Sequence, residues 1–216
     1  MARKWMAVIP VKGLEAAKSR LRGAVPEDRH PDLVLAMVRD TAVAVLGAGS
    51  VAGLIVVTGD PVVAAVVREL GGEVAPDPGA GLNAALRFGA DEVAGPAAHR
   101  VVLTGDLPAL RPGQLDAALG AARSRSFVPD AAGTGTVLLA VPPGELLDPR
   151  FGPGSAAAHR ASGATPLPGD WPGFRQDVDT AADLAAVLDL GAGEWTRALL
   201  GDLGLSRACT PAACSG

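Results

Sequence analysis

Met6-Ala-Val-Ile-Pro-Val11, followed at once by Lys12-Gly-Leu-Glu-Ala-Ala-Lys18, is the stretch on which the fold turns. Six uncharged residues read as a strand buried on both faces, the pattern of a parallel sheet. A parallel strand needs a crossover to return the chain. Between Glu27 and Leu46 the residues Leu33, Met37, Val38, Thr41 and Val45 recur at helical spacing, and Gly47 and Gly49 stop the run. The alternation then repeats: strand Gly53–Thr58, helix Pro61–Leu70 ended by Gly71-Gly72, strand Glu73–Pro76, helix Leu82–Val93 with Leu82, Leu86 and Phe88 inward, strand Arg100–Thr104, helix Pro112–Ala122. Ser126–Pro129 and Thr136–Val141 read as further strands, Gly154–Ala161 as a short helix, and Thr180–Leu190 and Glu194–Leu203 as closing helices. The expectation is a single-domain α/β protein over residues 1–206, Rossmann-like, with a mostly parallel sheet flanked by helices and a disordered tail at 207–216.

Composition narrows the partners. A net charge of −4 gives no general attraction to nucleic acid or membrane, so any anion site is built locally. No apolar run approaches the roughly 18 residues of a membrane span. Cys209 and Cys214 both lie near the end of the chain and make no disulfide framework, which points to a reducing cytoplasm. The 19 basic residues divide into 16 arginines and 3 lysines, and all three lysines (Lys4, Lys12, Lys18) fall at one end. Coding bias is one explanation; the other is that Lys12 and Lys18 do what a planar guanidinium cannot.

In an open parallel sheet, ligands bind outside the carboxyl ends of the strands. The loop after the first strand carries Lys12, Lys18, Arg20 and Arg22, but Ala17 stands where a Walker A loop needs glycine. It reads either as a solvated face or as a clamp on a triphosphate. After the fourth strand, Thr104-Gly105-Asp106-Leu107-Pro108 places Asp106 to hold Mg²⁺ between phosphates, or to cap a turn. In Asp177-Val178-Asp179-Thr180 alternation sets both carboxylates on one face with Val178 in the core, while Asp179 or Thr180 is placed to cap the next helix. Three carboxylates around one cleft ask for a compensating cation, which makes Asp106, Asp177 and Asp179 the metal candidates. Backbone groups around Asp60, Pro76-Asp77 and Asn83 are candidates to read a base, and Asn83 has both a donor and an acceptor to do so, although it could equally cap its helix.

Together the basic loop, Thr104-Gly-Asp-Leu-Pro108, Phe151-Gly-Pro-Gly-Ser-Ala-Ala-Ala-His159 and Asp177-Val-Asp-Thr-Ala-Ala-Asp-Leu184 resemble the CofC/FbiD family of guanylyltransferases, over about Val8 to Leu190. The Phe-Gly-x-x-Ser-x-x-x-His piece is the specific one; the others recur in nucleotidyltransferases of the glycosyltransferase-A-like fold. The resemblance implies transfer of GMP from GTP to phosphoenolpyruvate or 2-phospho-L-lactate, with release of pyrophosphate, in coenzyme F-420 biosynthesis. It implies that Thr136 (or Thr134), Gly152 and Ser155 hold the phosphorylated acceptor. Asp106 and Asp177 would hold the metal, with Lys18 catalytic beside them and Asp179 shared. Lys12, Lys18 and Arg20 would carry the departing phosphates, with Asp77 and Asn83 on the GTP side. His159, one turn beyond Ser155, either shares that site or fixes the turn by a structural hydrogen bond. Two rivals remain: a molybdopterin guanylyltransferase, whose double-glycine loop is missing at Val11-Lys-Gly-Leu14, and a non-catalytic GTP-binding module.

Overall fold

A computed structural model describes residues 3–15, 17–18, 21 and 23–205. Seven strands form one sheet in the order β3-β2-β1-β4-β6-β5-β7. Its parallel half is β1 (Trp5–Pro10), β2 (Val51–Val57), β3 (Glu73–Ala75) and β4 (His99–Leu103). The uncharged interior of β1 is explained by its place: Ala7, Val8 and Ile9 are buried between β2 and β4, with helices on both faces. β6 (Thr136–Val141) runs antiparallel to both β4 and β5 (Ser126–Pro129), so the start of β6 lies at the carboxyl end of β4.

The connecting helices are α1 (His30–Leu46), α2 (Pro61–Glu69), α3 (Leu82–Arg87) and α4 (Pro112–Ala121). The expected start at Glu27 is a short 3-10 turn, Glu27–Arg29, and Pro31 sits in the first turn of α1, where its missing N–H is harmless. Asp60 caps α2 by accepting from the Val62 and Val63 N–H groups. The expected Leu82–Val93 helix is α-helical only to Arg87, after which Phe88–Val93 is π-helical. Of its three expected inward residues only Leu86 is fully buried; Leu82 and Phe88 are half-buried at the edge of the core.

The wide π turn sets Gly89 hard against the sheet: a Cβ there would stand 2.6 Å from Val8 Cγ1 and 2.8 Å from Val57 Cγ2. Gly89→Ala is therefore expected to destabilise the protein by about 1–3 kcal/mol through overpacking, read as a lower urea midpoint with unchanged m-value.

The second half completes the body with α5 (Ser155–Ala161), β7 (Thr165–Pro166), α6 (Pro172–Arg175), α7 (Ala181–Leu190) and α8 (Glu194–Asp202). β7 and α6 were not expected, because elements of two and four residues carry no readable period. No helix among the described residues is long and apolar enough to cross a membrane. The tail expected to be disordered, 207–216, lies outside the described residues, as does Arg20.

Candidate active site

At the carboxyl ends of β1 and β4 lies a cavity of about 440 Å³, walled by Lys12, Lys18, Thr104, Gly105, Asp106 and Asp179 on its polar side and by Val34, Met37 and Leu82 on its apolar side. Each polar element is held from outside. The buried Thr41 in α1 donates its hydroxyl to Met37 C=O and accepts the Leu107 N–H at 3.0 Å, supporting the loop that carries Asp106. The Val178 N–H donates to Asp106 C=O, so the Asp177–Asp179 segment is tied to the end of β4. Val178 is fully buried, as alternation requires, and the neighbouring helix is capped by Thr180 with Asp183, which leaves Asp179 for the cavity.

Lys18 joins the two acidic loops. Its ammonium bonds to Asp106 Oδ2 and, at 2.6 Å, to Asp179 Oδ1, from a backbone in the left-handed region (φ 54°) that a lysine rarely adopts. Burial alone would lower its pKa, but the two carboxylates override that and hold it raised. The pKa of Asp177 is raised as well, to about 7, first by burial and then by the charges of Asp106 and Asp179, with Lys18 opposing. Among the described residues, Asp106 Oδ1 and Thr104 Oγ1 are buried without a partner. Lys18, expected beside the metal carboxylates and on the departing phosphates, is the counter-ion of Asp106 and Asp179 here. Among the described residues no three acidic groups already converge as a cation cage. Hard oxygen donors with one orphaned atom and a surplus of negative charge nevertheless fit a divalent cation.

The residues expected to hold the acceptor begin at the start of β6, where Val137 C=O accepts the Thr104 N–H at the end of β4. Thr136 is buried at the start of β6, Gly152 adopts φ 135°, open to glycine alone, and Ser155 begins α5. Thr134, the alternative to Thr136, is exposed, with its N–H donating to Asp130. That Asp130, which also accepts from Gly135 N–H, shapes the 133–136 turn and was missed; an aspartate just ahead of Gly-Thr-Gly was the available signal.

The side chains of all three base candidates are engaged within the fold. The Asn83 amide is committed at both ends to the backbone of one residue, donating to Phe151 C=O at 3.0 Å and accepting Phe151 N–H at 2.9 Å. It neither caps α3, whose N-cap is Gly81, nor presents a free edge; it pins the Phe151–Ser155 loop. Asp77 accepts from Gly79 N–H within its own turn and does not line the cavity. Asp60 likewise turns inward, accepting Leu14 N–H at 3.0 Å and so tethering the basic loop to α2.

His159 is fully buried between the rings of Phe127 and Phe151 and bonds to Thr136 and to Arg150 N–H, which favours its structural reading. Burial, then the positive charge of Arg125, lowers its pKa from 6.5 to about 4. A histidine kept neutral in the fold is protonated first in the unfolded chain, so its contribution is present above pH 6.5 and is lost as pH falls toward 4. The stability advantage of the wild type over His159→Gln is expected to shrink by about 3 kcal/mol between pH 7 and pH 4, measured by urea denaturation at both pH values.

The chain is 56% identical over 206 residues to phosphoenolpyruvate guanylyltransferase from Salinispora arenicola, covering 93% of this chain and 95% of that protein. It is 51% identical over 207 residues to the Geodermatophilus obscurus protein of that name, covering 92% and 95%. In three dimensions it resembles a nucleotidyl transferase from Methanothermobacter thermautotroptrophicus with a TM-score of 0.63 at 21% identity, covering 86% of this chain and 96% of that one. The family model described as "Guanylyl transferase CofC like" matches residues 5–213, from the first residue of β1 past the end of α8 and so across every loop that builds the cavity. The chain belongs to the CofC-like guanylyl transferase family.

Proposed function

We propose that this enzyme transfers GMP from GTP to the phosphate of phosphoenolpyruvate, forming enolpyruvyl-diphospho-5'-guanosine and pyrophosphate. The observation that carries the reading is the Lys18 ammonium lying between Asp106 and Asp179, with Asp177 beside them, at the carboxyl ends of β1 and β4. An oxygen of the acceptor phosphate forms the new bond to the GTP α-phosphorus as the α–β phosphoanhydride bond breaks, and the electron pair leaves with pyrophosphate. The nucleophile is already an anion, so no general base is required; the obstacle is the approach of two polyanions. Lys18 and the exposed Lys12 supply positive charge on the β1 side, and Arg20 follows them in the sequence.

Asp106, Asp177 and Asp179 would hold a divalent cation, which we take to be Mg²⁺. When bound, that ion supplies neutralisation of the phosphate oxygens. Lys18 is bonded to the same carboxylates that would hold the ion, so its ammonium would turn to an anionic ligand if Asp106 and Asp179 were otherwise engaged. Thr136, Gly152 and Ser155 form the acceptor side, with Gly152 letting backbone approach an anion closely. Neither a nucleic acid nor a membrane enters this reading.

Pyrophosphate release from GTP with phosphoenolpyruvate, 2-phospho-L-lactate or 3-phosphoglycerate tests the proposal. Turnover with phosphoenolpyruvate is expected; no turnover with any of the three would overturn it.

A further inference from the structure

A hydrogen-bond direction is imposed on one hydroxyl of the acceptor group. Thr136 Oγ1 and His159 Nδ1 stand 2.9 Å apart, and on the other edge of the ring Nε2 accepts the Arg150 backbone N–H at 2.9 Å. A ring nitrogen that accepts an N–H carries no proton, so the neutral ring bears its proton on Nδ1. Nδ1 is therefore closed as an acceptor to Thr136, and the hydroxyl oxygen accepts from it. The threonine proton is left over: among the described residues the hydroxyl has no second partner, although the residue is buried. A buried donor without an acceptor is costly, and a ligand oxygen would relieve that cost. Its neighbours hold it in place, because Ala156 N–H donates to Thr134 C=O and Ser155 precedes His159 by one turn of α5.

We propose that His159 is a positioning residue for the acceptor: held as the Nδ1–H tautomer by Arg150 N–H, it makes the Thr136 hydroxyl an obligate donor that selects an anionic oxygen of the phosphorylated substrate. The proposal rests on the acceptor assignment of Thr136 above and adds the group that gives its hydroxyl a direction. The ring is kept neutral by burial and by the facing charges of Arg125 and Arg150, against Asp148, so the lock holds across the neutral range.

Three variants separate the possibilities, each followed by KM for phosphoenolpyruvate and for GTP. His159→Leu and His159→Asn both lose the Arg150 bond, but an asparagine amide nitrogen occupies the place of Nδ1 and still donates to Thr136. His159→Leu is expected to raise KM for phosphoenolpyruvate about tenfold with KM for GTP little changed, and His159→Asn to restore most of the loss. Thr136→Val is expected to match His159→Leu, and the double variant to be no worse than Thr136→Val. If Thr136→Val leaves KM for phosphoenolpyruvate unchanged, the acceptor assignment fails and this inference with it. If Thr136→Val raises it but the His159 effects add to it, or fall equally on GTP, the inference alone fails. Should the His159 variants not fold, ¹⁵N-histidine NMR of the wild type still decides: a protonated Nδ1 with bare Nε2 is expected, and an Nε2–H ring overturns the proposal.

Discussion

Asp106→Asn is expected to lower kcat for pyrophosphate release by about 10²–10³, the scale on which a preorganised electrostatic group is lost from a reacting centre, while the fold stays intact. The amide keeps the shape of the carboxylate and takes away the charge that faces Lys18. Stability should change by less than about 1 kcal/mol, for two reasons that oppose each other. Lys18 loses one partner but retains Asp179, and Asp177 is relieved of one of the charges that push its pKa to about 7. Thermal melting beside steady-state kinetics checks both halves. Near-normal turnover would remove Asp106 from the reacting centre.

Lys18→Met should lose a comparable factor in kcat/KM, but with the opposite signature in stability. The variant keeps side-chain length and the left-handed backbone, and deletes the ammonium that offsets three neighbouring carboxylates. Leaving Asp106 and Asp177 without a counter-charge is expected to cost about 2 kcal/mol, less than for a fully buried pair because Asp179 is half exposed. Added divalent cation should recover part of the melting temperature of this variant, since an ion between the carboxylates replaces the missing charge; no recovery would argue against the cation. Lys18→Arg isolates shape from charge. A guanidinium is too broad for a place between two carboxylates that an ammonium fills, so activity should fall although the charge is kept.

Strands β1 and β2 were legible because each is an uncharged run closed by proline or glycine, the composition that burial on both faces favours, whereas β3 and β4 carry Glu73 and Arg100 near their starts and were legible from the apolar residues that follow. Asp177 and Asp179 were legible for a related reason, since alternation around the buried Val178 is a local rule. The switch from α to π geometry at Phe88 was not, because it answers the space above Val8 and Val57, residues far away in the chain. Asn83 shows the same limit: its amide looked free to read a base until folding brought the Phe151 peptide, 68 residues away, onto both its ends.

What the sequence by itself determined is the alternation of buried strands with amphipathic helices, and with it the end of the sheet where loops rich in charge must collect. Those features depend on neighbours a few residues apart. Only the tertiary structure decided what the charges do there. Lys18 meets Asp106 and Asp179 across separations of 88 and 161 residues, and His159 in α5 accepts the N–H of Arg150 from the loop before that helix. A hydrogen bond or an ion pair acts over about 3 Å in space and carries no trace of its distance along the chain.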